Sequence, residues 1–197
     1  MPRIAGQIDP RKSEAILASA AVLFAERGAA VTMNEIARHA GVSKQTLYNR
    51  FPSKIEIGRA LAHRRSDAIT APLRSGGDPE TVLTAFAHAL LDKICNPSKG
   101  ESMRGVFLLA PTVPDIARAI YDAGPGESLR RLAAWLAEQD RQGLLSVPDP
   151  ATAAEMFTGM TLGHSHLRTA LGIPHPVADL ETRARETARR FILAFAP

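Results

Sequence analysis

TMNEIARHAGVSKQTLYNRF, residues 32–51, reads as two short helices joined by a tight turn. Thr32 and Glu35 have the spacing of a capping box, in which the threonine hydroxyl accepts from the Glu35 N–H while the Glu35 carboxylate reaches back to the N–H of Thr32. Behind this cap Met33, Ile36, Ala37 and Ala40 fall on one helical face, and Gly41 stands where a left-handed residue closes the last turn. Val42 can plug the angle between the helices, and Ser43 is a good N-cap for a second helix over Lys44–Arg50. Leu47 and Phe51, four apart, return to the core, which leaves Lys44, Gln45, Thr46, Tyr48, Asn49 and Arg50 facing outward or sideways. That is the layout of a helix-turn-helix whose second helix enters the major groove of DNA. The side chains suit that groove, since Gln and Asn pair bidentately with adenine, Lys reaches guanine or phosphate, and the Thr methyl can meet the thymine methyl. After Pro52, Ser53 and Glu56 have the spacing of a second capping box, which puts Lys54 in the first turn of the next helix, near the groove edge.

The charge distribution agrees. Residues 1–65 carry eleven Lys or Arg against five Asp or Glu, and residues 66–197 carry thirteen against fifteen, so a segment of +6 precedes one of −2 in a chain of net charge +4. Phosphate contact needs such a local excess, because counterion release supplies most sequence-independent affinity for DNA. A sequence-neutral DNA-packaging protein would also be basic and helical, but its charge would be high and spread along the chain. An enzyme is the other alternative, and the sequence has no Gly-rich phosphate loop, no Gly-x-Ser-x-Gly elbow, no His-Glu-x-x-His and no paired carboxylates in a recognisable frame. No catalytic residue, metal site or cofactor is expected. No run of 18 apolar residues spans a membrane, and the start, MPRIAGQIDPRKSEAIL, lacks an apolar stretch followed by a cleavage site. With a single cysteine, Cys95, no internal disulfide can form, which fits a reducing cytoplasm.

Beyond residue 65 the pattern stays helical, with breaks at Pro, Gly and Asn clusters and no alternating stretch that reads as a strand. The fold class is all-α, with about nine helices. RSGGDPE, 74–80, precedes a helix from Pro79 to about Ile94, and NPSKGES, 96–102, is the next loop. A short apolar helix over Met103 to Ala110 is expected, then one opening at Pro114 that GPGES, 124–128, interrupts or kinks before Leu129 to Gln142 continues. Residues 149–171 and 177–196 read as the last two helices, the second carrying Leu180, Ala184, Ala188, Phe191 and Phe195 at helical intervals. Between the helices Phe86, Leu90, Cys95, Phe107, Leu108, Tyr121, Trp135, Met156, Phe157 and Met160 could line an apolar cavity, with His88, His164 or His166 orienting a polar group. Each of these taken singly is more often ordinary core, Cys95 as a buried thiol, and His164 and His166, two apart, diverge on a helix and make no metal pair.

The cap, short helix, Gly-Val-Ser turn, second short helix, aromatic and Pro-Ser-Lys resemble the TetR family of bacterial transcription regulators over residues 11–62, most specifically in IARHAGVSKQTLYNRFPSK, 36–54. There a first helix packs beneath the motif, a part that Ala15, Ile16, Ala20, Leu23 and Phe24 would play. The resemblance implies that Tyr48 and Lys54 hold phosphates, that Thr32 binds phosphate at the start of the second helix, and that Lys44, Gln45, Thr46 and Asn49, following the cap Ser43, lie at or near base edges. Gln45 departs from the family, which usually has a small residue there.

RGVFLLAPTVPDIARAIYDAGP, 104–125, and GLLSVPDPATAAEMFTGMTLG, 143–163, resemble the AefR-like carboxy-terminal domain of some members of the family. This implies a DNA-binding domain over residues 1–62 and an effector-binding, dimerising domain over 63–197. The last two long helices would meet their copies in a four-helix bundle, through Met156, Met160 and Leu167 from one and Leu180, Ala184, Ala188, Phe191 and Phe195 from the other. The expected whole is a cytoplasmic, ligand-responsive regulator. As a homodimer it would bind a palindromic operator on double-stranded DNA, most often as a repressor, and be released by a small apolar or aromatic effector held near Phe86, Leu90, Phe107, Leu108, Tyr121, Trp135, Phe157, Met160 and His164.

Overall fold

Three of the helix starts share one device, an Asp-Pro pair. In the computed structural model, which describes residues 9–96, 113–176 and 179–197, Asp9, Asp78 and Asp149 are N-caps whose carboxylates accept from the backbone of Arg11, Thr81 and Thr152. The proline that follows each cap occupies the first helical turn, where its missing N–H costs nothing and its fixed φ suits the helix. Among the described residues all regular structure is helical. The expected helix over 103–110, with Phe107 and Leu108, lies outside the described residues.

The amino-terminal head consists of α1 (Pro10–Arg27), a 3-10 turn at Gly28–Ala30, α2 (Met33–His39) and α3 (Lys44–Arg50). Its core is Ile16, Ala20, Leu23, Val31, Ile36, Ala37 and Leu47, closed by Ile57 from α4 (Lys54–Ile69). Phe24, Val42 and Phe51 pack on that core from its edge, as the apolar spacing requires. The Ser53 hydroxyl accepts from the Glu56 N–H at 3.3 Å, but the Glu56 carboxylate turns to Arg59 at 3.2 Å, so the second capping box is formed by half.

A second core lies beyond. It draws on α5 (Pro79–Cys95), α7 (Pro125–Arg141), α8 (Pro150–Leu162) and α10 (Leu180–Ala194), with α6 (Pro114–Ala123) and the short α9 (Ser165–Leu171) on its flanks. α5 is the central element, buried by α10 along most of its length. Phe157 sits between Phe86, at 6.0 Å between ring centroids, and Phe191, at 5.0 Å and edge-on. Both are favourable aromatic geometries. α4 contributes Ile57 to the first core and Ile69 to the second, so the expected boundary at residues 62 and 63 falls inside a helix that both share.

Two glycines set the remaining geometry. α6 and α7 meet at Gly124, where a Cβ would stand 3.1 Å from the carbonyl oxygen of Ile120 and 3.2 Å from the Cβ of Ala62. The interruption expected at 124–128 is therefore a true helix end, and its glycine lets the corner press against α4. The stretch 149–171, expected as one helix, is two. Gly163, at φ 48°, ends α8 in backbone that favours glycine, and α9 starts afresh at Ser165.

Candidate nucleic-acid interface and ligand cavity

Local hydrogen bonds hold the α2–α3 surface. The Thr32 capping box is complete: Glu35 N–H donates to the hydroxyl at 3.2 Å, and Thr32 N–H donates to the carboxylate at 2.8 Å. The Thr32 hydroxyl also donates its proton to that carboxylate at 2.8 Å, and Arg27 pairs with it at 2.7 Å. These donors, those of Thr32 foremost, pull the Glu35 carboxyl down to about 2. A phosphate at Thr32 would have to compete with Glu35 for the hydroxyl proton.

On α3 the Ser43 hydroxyl accepts from the Thr46 N–H at 3.1 Å and pairs with the Thr46 hydroxyl at 2.8 Å. Gln45 donates through Nε2 to Oδ1 of Asn49 at 2.7 Å. The two amides thus form one unit across a helical turn that still presents the Gln45 carbonyl and the Asn49 amide N–H groups. In the free protein, then, the long Gln45 side chain orients Asn49. Lys44, Gln45, Tyr48 and Asn49 are exposed, Tyr48 by 46%, while Leu47 is fully buried beneath them. Arg50 does not join the outer face, because Nη1 donates to the Ser13 hydroxyl at 2.6 Å and ties α3 to α1. Lys54 is half-buried at the first turn of α4.

A cavity of about 570 Å³ runs beside α4 between head and body. Of the residues expected there, Phe86, Leu90 and Tyr121 line it. Trp135 and Phe157 belong instead to the body core, because their sides of α7 and α8 turn toward α5 and α10. Met160 and His164 are exposed away from the cavity, His164 at the position that starts α9, and both assignments are corrected. His166 takes the polar place. It is half-buried in the cavity wall, and burial together with the positive charge of Arg65 pushes its pKa down. The sequence reading missed a wall of α1, Leu17, Ala18, Ala21, Phe24 and Ala25. The signal was present, since these residues form an apolar stripe on α1 beside the one that builds the head core.

Polar groups punctuate this lining. Ser66 on α4 and Ser128 on α7 share a buried hydrogen bond of 2.9 Å, and Arg65 Nη2 donates to the Lys93 carbonyl at 2.8 Å. His88 faces a separate polar cleft with Asp78, Glu80, Glu181 and Arg185. Cys95 is half-buried, with Sγ 3.8 Å from the Ser165 hydroxyl. Among the described residues no group of three or more His, Cys, Asp or Glu could hold a metal, and no helix is long and apolar enough to cross a membrane.

The expected dimer residues divide. Ala184, Ala188 and Phe191 are fully enclosed by their own chain, so they cannot meet a second copy and that assignment is corrected. The α10 stripe covers α5, which has an apolar face of its own to bury. Leu180 and Phe195 are partly buried against the same core. Met156, Met160 and Leu167 are exposed, together with Leu171 and Leu193.

Comparison with known proteins bears on both halves. The model of the bacterial regulatory proteins of the tetR family matches residues 16–61, and that of the AefR-like transcriptional repressor C-terminal domain matches residues 81–197. The HTH-type transcriptional activator FasR of Mycolicibacterium smegmatis is 37% identical over 47% of this chain and 44% of its own length. The HTH-type transcriptional repressor KstR2 of Mycobacterium tuberculosis is 34% identical over 55% of this chain and 46% of its own. The match thus spans less than half the length of these curated relatives. Among solved structures, the flavonoid-responsive regulator FrrA is 29% identical with a TM-score of 0.70, over 96% of this chain and 99% of that one.

Proposed function

From a chain that belongs to the tetR family of bacterial transcription regulators, with an AefR-like C-terminal domain, we propose a cytoplasmic one-component repressor that binds a palindromic operator as a homodimer and is released by a small apolar or aromatic effector. The observation that carries this reading is the exposed face of α3, where Lys44, Tyr48 and the Gln45–Asn49 pair stand over a buried Leu47 on a helix fixed by its own cap. Lys44, Gln45, Thr46 and Asn49 lie at or near base edges, and Thr32, Tyr48 and Lys54 hold the backbone. Base contacts specify and phosphate contacts position, so the two sets have separable consequences.

So short a reading helix needs a second half-site about one helical turn away to gain specificity. The exposed apolar side chains Met156, Met160 and Leu167 support a paired body that would set this spacing. The sign of regulation rests on the AefR-like repressor domain, since FasR is an activator and KstR2 a repressor. An aromatic or apolar effector is supported by the lining of the 570 Å³ cavity, a size within the usual range for small-molecule sites, and by the flavonoid response of FrrA. Effector and operator would then be coupled reciprocally, by about 1–3 kcal/mol in typical cases.

The test is retention from a pool of random duplexes at near-physiological salt, followed by sequencing. An inverted repeat is expected. Retention without a motif would support a sequence-neutral binder instead, and a saturating effector that leaves operator affinity unchanged would remove the coupling while leaving the DNA reading intact.

A further inference from the structure

Two serines in the cavity wall bring one more proton than the protein uses. Ser66 on α4 and Ser128 on α7 both line the cavity, are 1% and 6% exposed, and share a hydrogen bond of 2.9 Å. Two hydroxyls carry two donors, and that bond consumes one. Other hydroxyls of the body return their protons to the carbonyl four residues back, Thr70 to Ser66 at 2.8 Å, Thr161 to Phe157 at 2.8 Å and Thr169 to Ser165 at 3.0 Å. Neither serine does so, and among the described residues no other acceptor meets the pair. Whichever hydroxyl donates to the other, one buried proton is left without an acceptor, and an unmade hydrogen bond of that kind is costly until an acceptor arrives.

The charges of the lining are already answered. Arg64 pairs with Glu14 at 2.6 Å, Arg65 donates to the Lys93 carbonyl at 2.8 Å, and Lys54, Arg65 and His166 each have an interaction of their own besides. Glu155, also in the lining, adds negative charge. An acid entering here would leave water with no unpaired cation to receive it, and burying a charge unpaired costs far more than burying a neutral oxygen that gains a hydrogen bond. Most of the remaining wall is apolar, with Leu17 and Phe24 from α1, Phe86 and Leu90 from α5, and Ile116 and Ile120 from α6.

We propose that the effector is an uncharged, largely apolar molecule with an acceptor oxygen, as in a ketone, ester or ether, which takes the spare hydroxyl proton of the Ser66–Ser128 pair. This deepens the proposed function and rests on that reading. The pair then fixes the orientation of a ligand that the apolar walls alone would hold in any direction. Because Ser66 stands on α4, the one polar contact of the occupant falls on a helix that contributes to both cores.

Three phenyl compounds of equal carbon count differ at the deciding atoms: 1-phenylbutan-1-one has a carbonyl, butylbenzene has no oxygen, and 4-phenylbutanoate carries a charge. Their binding to the full-length protein at neutral pH is measured by equilibrium dialysis. The ketone is expected to bind about tenfold or more tightly than the carboxylate. In the double variant Ser66→Ala/Ser128→Ala the ketone should lose about tenfold in affinity while butylbenzene loses none. Removing both hydroxyls leaves neither unpaired, so this variant should keep its melting temperature. Either single variant retains one hydroxyl with its proton and should keep most of the ketone affinity, which separates a donated hydrogen bond from a change in cavity shape. Ala21→Phe, which fills the α1 wall, should weaken the ketone and butylbenzene alike. No binding of the ketone, a carboxylate that matches it, or a double variant that loses nothing or loses both neutral ligands equally overturns the proposal. Operator selection run on the same preparation separates the two readings. An inverted repeat with no ketone bound sinks the ligand inference alone, and serine-dependent ketone binding with no DNA motif upholds it while sinking the regulator.

Discussion

The head and the body are held together in opposite ways. The reading surface of the head depends on hydrogen bonds between residues three or four apart, Thr32 with Glu35, Ser43 with Thr46 and Gln45 with Asn49, all exposed. The body depends on contacts between residues far apart in sequence, Phe86 with Phe157 and Phe191, and Ser66 with Ser128, all buried. Local bonds fix a shape that survives wherever the segment goes, which suits a surface presented to DNA. Long-range packing fixes the spacing between elements, which suits a part that must hold a cavity. α4 belongs to both cores and, among the described residues, gives a change in the second a direct route to the first.

The largest effects should come from the two cores. Phe157→Ala removes a ring with partners on two sides and should cost about 3–5 kcal/mol, and Leu47→Ala in the head about 2–5 kcal/mol. Urea unfolding followed by circular dichroism measures both. If α4 welds the cores into one cooperative unit, each variant lowers a single transition. Two separate transitions, each moved by only one variant, would break the comparison by making head and body independent.

A smaller effect tests the division of labour within the head. Asn49→Ala should relax preference at particular base pairs by about 1–3 kcal/mol. Gln45→Ala should produce part of the same loss, because it removes the partner that orients Asn49. Tyr48→Phe should weaken all sequences alike, since phosphates carry no sequence information. Selection profiles of the three variants are the measurement. A Tyr48→Phe protein with altered base preference and an Asn49→Ala protein without it would reverse these roles.

The same contrast explains what could be read from the sequence. The helix-turn-helix was legible down to its caps because every determinant, Thr32, Glu35, Gly41 and Ser43, lies within one turn of what it controls. The body was legible as helices but not as faces. Ala184, Ala188 and Phe191 make an apolar stripe whether it meets its own α5 or a second chain, and the stripe alone does not say which. Leu17, Ala18 and Ala21 likewise form a stripe whose partner across the cavity is some forty positions further along the chain, on α4. His88, His164 and His166 look alike as polar groups in the sequence, and only the fold turns His166 toward the cavity. Gly163 was an isolated glycine inside a helical pattern, a signal that is as often tolerated as not. Its φ of 48° and ψ of −125° make Gly163→Ala a test of the break: about 1–3 kcal/mol of destabilisation is expected from thermal melting. No loss would mean that 149–171 runs as one helix in solution.

The smallest expected effect is also the most local. Thr32→Ala removes the hydroxyl that caps α2 and should cost about 1 kcal/mol in the usual range for such caps. It should also change how the head responds to acid. Glu35 is held at about 2 against an ordinary 4.5, so its contribution to stability is fully present above pH 4.5 and fades as the pH falls toward 2. In Thr32→Ala the hydroxyl's bond to the carboxylate is gone, while the backbone N–H of residue 32, the largest cause of the depression, and Arg27 remain, so the acid-dependent loss across this window should shrink only in part, and in Glu35→Gln it should vanish. Thermal midpoints from about pH 5 down to about 2 at fixed ionic strength read this directly. The body's surface carboxylates, Glu127 and Asp67 on Arg131 among them, titrate in the same range and are common to all three proteins, so the difference between variants isolates the cap. If both variants kept the full acid response of the unaltered protein, the bond between Glu35 and Thr32 would not be what holds α2 in place, and the head would owe its shape to packing as the body does.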